Sequence, residues 1–138
     1  MAKTTLTFVL AFGLFVSATA FAAGKHHEKL VKQAEIFVHQ LAASQFKAAE
    51  ANFTARMKQA APPQKLKLIW HQLTGHFGAY QKMGDTRSGS MHGRPVAFVE
   101  TEFKKKTIWM EVAFDQSGRI AGMHIVSPSL VHKVAGGT

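Results

Sequence analysis

Cysteine is absent from this 138-residue chain. That excludes disulfides, cysteine nucleophiles, thiolate zinc sites and dithiol redox chemistry. Acidic residues are scarce too: 8 Asp and Glu stand against 17 Lys and Arg. Such a balance favours anionic partners, namely lipid headgroups, cell-envelope polymers or acidic proteins, although excess charge also serves solubility alone. Long apolar runs are missing except at the start, so no transmembrane segment is expected beyond residue 22. What is present there decides the compartment. Lys3 supplies a positive start, residues 6–16 are almost unbroken apolar, and Ala20-Phe21-Ala22 puts small residues at the −3 and −1 positions. This is the layout of a secretory signal peptide over residues 1–22, with an apolar segment too short for a permanent span. The alternative is an uncleaved anchor. Cleavage after Ala22 leaves residues 23–138, 116 in all, with 16 Lys and Arg against the same 8 acids. Export to the periplasm or the exterior makes nucleic acid a poor default partner. One domain of this size can bury a core without disulfides or metals.

Apolar spacing divides the mature chain into a helical half and a strand half. Leu30, Ala34, Phe37, Val38 and Leu41 form one stripe of a first helix. Ser44 is placed to cap a second helix, on which Phe46, Ala49, Phe53 and Met57 share a face. Pro62-Pro63 breaks the chain, and Leu66, Ile69, Trp70, Leu73 and Phe77 mark a third helix ending between Gly75 and Gly78. Beyond Gly78 the period changes to two. A weak strand is expected over residues 79–87, followed by a flexible Gly-rich connection over 88–95. Ala97, Val99, Thr101 and Phe103 alternate with Val96, Phe98, Glu100 and Glu102. Ile108, Met110, Val112 and Phe114 alternate with Trp109, Glu111 and Ala113. Lys104, Lys105 and Lys106 form the loop between these strands. Asp115-Gln116-Ser117-Gly118 forms the next turn, with Gly118 at the positive-φ position. Residues 119–126 make a last strand that Pro128 ends, and 134–138 read as a flexible tail. The expectation is a single α+β domain over residues 23–133: N-terminal helices packed on a curved antiparallel sheet of about four strands, a cystatin-like or NTF2-like cone.

Three segments in this order carry a resemblance. They are Phe46-Lys47-Ala48-Ala49 with Phe53; Leu66, Trp70 and Leu73 followed by Gly78 and Tyr80; and Val112-Ala113-Phe114-Asp115 with Gly118-Arg119-Ile120-Ala121-Gly122. Together they resemble the bacterial and archaeal domain of unknown function family 3887 over roughly residues 30–126. Members of that family stand alone as exported proteins or precede an α/β-hydrolase domain. With Thr138 the last residue, a solitary member is expected. The resemblance implies fold and export and an accessory or binding role, and it brings no catalytic residues.

The search for chemistry yields no catalytic set. Gly89-Ser90-Met91-His92-Gly93 has the glycines of a nucleophile elbow but Met at its centre, so it reads as loop. His26 and His27 with Glu28 are weak metal candidates, read otherwise as a solvated helix start. Cleavage one residue later would expose Gly24-Lys25-His26, a terminus able to chelate Cu(II) or Ni(II). His71 and His76 are five apart, off the spacing that aligns two ligands, and nothing gathers His92, His124 and His132. Glu100 and Glu102 share a strand face, with Glu111 placed across from one of them, and that face is expected to meet solvent. No cofactor is implied. Trp70, Phe77 and Tyr80 are candidate ligand aromatics, the first two read more simply as core. Trp109, flanked by Lys104, Lys105 and Lys106, is the candidate for gripping a headgroup, glycan or partner chain, or else covers its own sheet edge. Lys58, Lys65 and Lys67 make a second, looser basic cluster.

The expected function is a small exported, non-enzymatic domain binding an envelope protein, lipid or anionic polymer, with a homodimer as one use of the sheet. The rivals are a cone-fold enzyme on a small hydrophobic substrate and a charge-driven polyanion binder, the latter marked by steep salt dependence. The secreted protein is expected to begin at Ala23. Intact-mass measurement checks this, and a mass retaining residues 1–22 would make that segment an anchor.

Overall fold

The computed structural model describes the backbone of residues 15–136 and the side chains of residues 24–136. Residues 1–14, and with them most of the expected signal peptide, lie outside the described residues. The helical half comprises α1 (Phe15–Ala42), α2 (Phe46–Ala49), a 3-10 turn (Glu50–Asn52), α3 (Ala55–Ala60) and α4 (Pro63–Phe77). The strand half is a meander of β1 (Tyr80–Met91), β2 (Arg94–Phe103), β3 (Thr107–Phe114) and β4 (Ile120–Val126), followed by α5 (Pro128–Ala135). All pairings are antiparallel in the order β1-β2-β3-β4, so the sheet is open with β1 and β4 at its edges. This is an α+β fold, helices packed on a four-stranded antiparallel sheet. Among the described residues no helix is long and apolar enough to cross a membrane.

The period-two pattern sorts the sheet into two faces. Ala97, Val99, Thr101, Phe103, Ile108, Met110, Val112 and Phe114 are all 5% exposed or less. They pack with Leu30, Ala34, Phe37, Val38 and Leu41 of α1 and with Leu66, Trp70 and Leu73 of α4 into one continuous core. Side chains therefore fill the space between the helices and the sheet. Thr101, the hydroxyl on this face, donates to the Val99 carbonyl at 3.3 Å, which satisfies a polar atom that burial would otherwise penalise.

Four expectations are corrected. The second helix is not continuous. It breaks at Phe53, whose backbone is extended (φ −83°, ψ 150°) and bridges Ile120 in β4, while Thr54 N–H donates to the Ile120 carbonyl at 2.9 Å. A helical Phe53 would leave that sheet partner unmade. Ser44 does not cap α2. It takes a positive φ of 60°, and Gln45 precedes the helix without a side-chain cap. The cap that does form is Thr54, whose Oγ1 accepts from Met57 N–H at the start of α3.

The Gly-rich connection is strand: β1 continues to Met91, and His92 and Gly93 alone make the turn into β2. Both carry positive φ, 53° and 75°, the geometry of a tight primed hairpin. Finally, the expected tail is the end of a helix. Ser127 Oγ accepts from Leu130 N–H, Pro128 opens α5, and Val134 and Ala135 pack against Val96, Phe98 and Val131 on the outer face of the sheet. Residues 137–138 lie outside the described residues. Gly89 admits this helix, because a Cβ there would stand 2.8 Å from Cγ1 of Val134.

Phe53 is fully buried and its ring lies 5.6 Å from that of Phe37. Phe53→Ala is expected to cost about 3–5 kcal/mol, the usual range for a buried Phe. Urea unfolding measures it, and a loss under about 1 kcal/mol would show that the joint carries little of the stability.

Candidate functional site

The candidate residues divide into three places. Trp70, Phe77 and Tyr80 come together around Phe103, with centroid distances of 5.6 Å (Trp70–Phe103), 5.9 Å (Phe77–Phe103) and 6.1 Å (Tyr80–Phe103), and Trp70 is 5.8 Å from Tyr80. Tilted and edge-on pairs at these distances are the packing that aromatic quadrupoles prefer. Burial pushes the Tyr80 phenol above its ordinary value of 10.0. The cluster closes the end of the core beneath α4.

Lys104, Lys105 and Lys106 are exposed on the β2–β3 turn. Lys104 N–H donates to the Ala79 carbonyl at 2.8 Å and Lys105 N–H to the Phe77 carbonyl at 2.7 Å, which ties the turn to the C-terminal end of α4. Lys106 Nζ lies 5.6 Å from the centroid of the Phe77 ring. Cations are favoured at that end of a helix by its unpaired carbonyls.

Trp109 is not part of this basic group. It is half-buried on the outer face of the sheet, opposite Glu100 on β2 and Val126 on β4, against the small cluster under α5. It lines a groove of about 380 Å³ with Asp85, Arg87, Glu100 and His132, so the nearest ionisable groups include two carboxylates. The outer face is also less solvated than its alternation predicts. Glu111 lies opposite Phe98 rather than a second Glu, and is only 7% exposed. Its Oε1 stands 3.9 Å from His124 Nδ1. The physical reason is α5, which covers a face that a four-strand meander alone would leave in water.

His26 and His27 are exposed residues within α1, and His71 and His76 are exposed on α4. Among the described residues no three His, Asp or Glu side chains gather where they could hold a metal ion.

The wider basic face was only half legible in the sequence. Lys65 and Lys67 are exposed on α4, followed by Leu68, 57% exposed, and by the exposed His71. Lys58 is exposed on α3, and Lys104, Lys105 and Lys106 are exposed on the turn tied to the C-terminal end of α4. The signal that identifies it is an absence: from Ala51 to Gly84 there is no Asp or Glu at all. Ion pairs form elsewhere, among them Lys32–Glu35, Lys82–Glu102 and His124–Glu111.

A model of the protein-of-unknown-function family DUF3887 matches residues 34–123, from the middle of α1 into β4. The chain belongs to the DUF3887 family. No curated protein and no solved structure is detectably similar to it. The matched span holds the whole core joint, from Phe37 and Phe53 to Ile120, and stops before α5. In this DUF3887 domain the β3–β4 turn is fastened by one side chain. Asp115 Oδ1 accepts from Ser117 N–H (3.0 Å), Ser117 Oγ–H (2.7 Å) and Arg119 N–H (2.9 Å), and Gly118 takes the expected positive φ of 85°.

The Arg119 and Ser117 hydrogen bonds hold the Asp115 carboxyl below its ordinary 3.8. A lowered folded-state value means that this stabilisation is present above 3.8 and is lost as pH falls through the folded value. Asp115→Asn is therefore expected to flatten the acid side of the stability curve below about pH 4. Thermal melts of both proteins down to about pH 2 check this, and parallel curves would refute it.

Proposed function

We propose that this DUF3887 domain is an exported, non-enzymatic module that holds an anionic partner of the cell envelope against the face formed by α4 and the β2–β3 turn. The observation that carries the proposal is the stretch without acid over residues 51–84, on which Lys58, Lys65 and Lys67 stand exposed, with the exposed Lys104, Lys105 and Lys106 on a turn hydrogen-bonded to the end of α4. A surface lined by one sign of charge attracts anions over several ångströms and raises their local concentration. Leu68, exposed on α4, adds an apolar contact that a purely electrostatic face would lack.

The interior supports the same reading. The inward faces of β2 and β3 present Ala, Val, Thr, Phe, Ile and Met side chains packed against helices, with no carboxylate or imidazole among them. General acid–base catalysis there would need such a group in a cleft. The buried carboxylate of Glu111 belongs to the opposite face. This favours a surface function over the cone-fold enzyme on a small hydrophobic substrate.

Vesicles of phosphatidylcholine with and without phosphatidylglycerol, and a soluble anionic polymer, test the proposal by co-sedimentation and titration. Binding to the anionic probes is expected to fall linearly in log–log with salt. Changing Lys65, Lys67, Lys104 and Lys106 to Gln together is expected to weaken it at least tenfold, at about 1 kcal/mol per Lys near an anionic surface. Equal affinity for neutral vesicles, or affinity insensitive to salt, would overturn the proposal.

A further inference from the structure

The antiparallel meander puts the β1–β2 and β3–β4 turns at the end of the sheet opposite Lys104, Lys105 and Lys106. At that other end the two turns and α3 enclose a groove of about 790 Å³. This is within the size range of small-molecule sites. Its lining is polar, and two segments bring cations to it, α3 with Arg56 and the β1–β2 hairpin with Arg94, the hairpin adding the His92 imidazole. None of the three makes an ion pair or a side-chain hydrogen bond among the described residues.

The one carboxylate in the groove is Asp115, and three donors of the β3–β4 turn converge on its Oδ1. That oxygen is therefore engaged within its own loop instead of pairing with an arginine. Thr54 Oγ1 accepts from Met57 N–H and keeps its own proton to donate. Gln116 adds an amide at the rim.

His92 is the second distinct feature. It sits at φ 53°, in the left-handed region, where Asn, Asp or Gly suits a two-residue turn better. A His held there costs conformational energy that packing does not repay, since the residue is exposed. Lining the same groove as two guanidinium groups that make no ion pair gives its imidazole a chemical use.

We propose that this groove is a binding site for one anionic group, a phosphate or a carboxylate on a small ligand, held by Arg56 and Arg94 with His92 donating a further hydrogen bond. Planar guanidinium forks match both oxyanions, and charge-assisted bonds of this kind are the stronger class. The site is distinct from the α4 face and stands whether or not that face binds a partner.

The test titrates the exported protein with inorganic phosphate and, separately, with succinate at constant ionic strength. The His92 ring and the Gly93 amide are followed by NMR. Saturable shifts at these two positions are expected, and saturation by one anion and not the other identifies the group. Arg56→Ala with Arg94→Ala is expected to weaken binding at least tenfold, the effect of losing about one charge-assisted bond. His92→Asn, which suits the positive φ better, is expected to weaken it about threefold without lowering the urea midpoint. Lys104, Lys105 and Lys106 changed to Gln should leave it unaltered. Shifts that never saturate, shifts spread equally over the surface lysines, or full binding by the double arginine variant would each overturn the proposal.

Discussion

The helical half meets the last strand at the joint between Phe53 and Ile120. Phe53 buries its ring against Phe37 while its extended backbone bridges β4, and Thr54 donates to the same Ile120 carbonyl. One residue thus ties the helical half to the last strand through both packing and a backbone pairing. The break it forces in the helix turns α3 toward β4, where Arg56 reaches the end of the sheet, and leaves Pro62-Pro63 to start α4 in a new direction. Asn52 adds a side-chain bond from its Nδ2 to the Gly118 carbonyl at 3.3 Å, so the same corner also steadies the β3–β4 turn.

The two faces of the sheet are used differently. The inner face is a closed packing of aliphatic and aromatic side chains whose removal from water, at about 25 cal/mol per Å², supplies the driving force for the fold. The outer face carries a small second cluster of Val96, Phe98 and Val131 under α5, next to Glu111 and His124. The interior is filled, and the exposed charge lies at the periphery. There the basic residues separate to opposite ends of the strands, lysines on one end and arginines with His92 on the other.

How far the sequence was readable depended on whether a residue's role was local. The alternation of Val99 with Phe98, or of Met110 with Trp109, reports a pleat directly, and both strands and their facing sides follow from it. The stripe from Leu30 to Leu41 reports α1 in the same way. Phe53 also fits a helical stripe with Phe46 and Ala49, and nothing local reveals that a strand 67 positions later takes its backbone. Residues 88–95 read as loop because Gly89, Gly93 and Pro95 are poor strand formers. Pairing with β2, and the close approach of Val134 over Gly89, override that preference. The α5 helix had a local signal, Ser127-Pro128 as cap and first residue, but in eight residues it is too short to declare itself without the sheet it covers.

The sequence by itself determined the class of fold, the helices-then-strands division, the apolar character of the inner face and the excess of positive charge. Each of these follows from periodicity or composition. Only the tertiary structure decided where that charge meets. Lys106 lies over Phe77 at the end of α4, Arg56 and Arg94 line one groove and Trp109 another, because strand pairing and helix packing bring together residues that sequence spacing cannot relate.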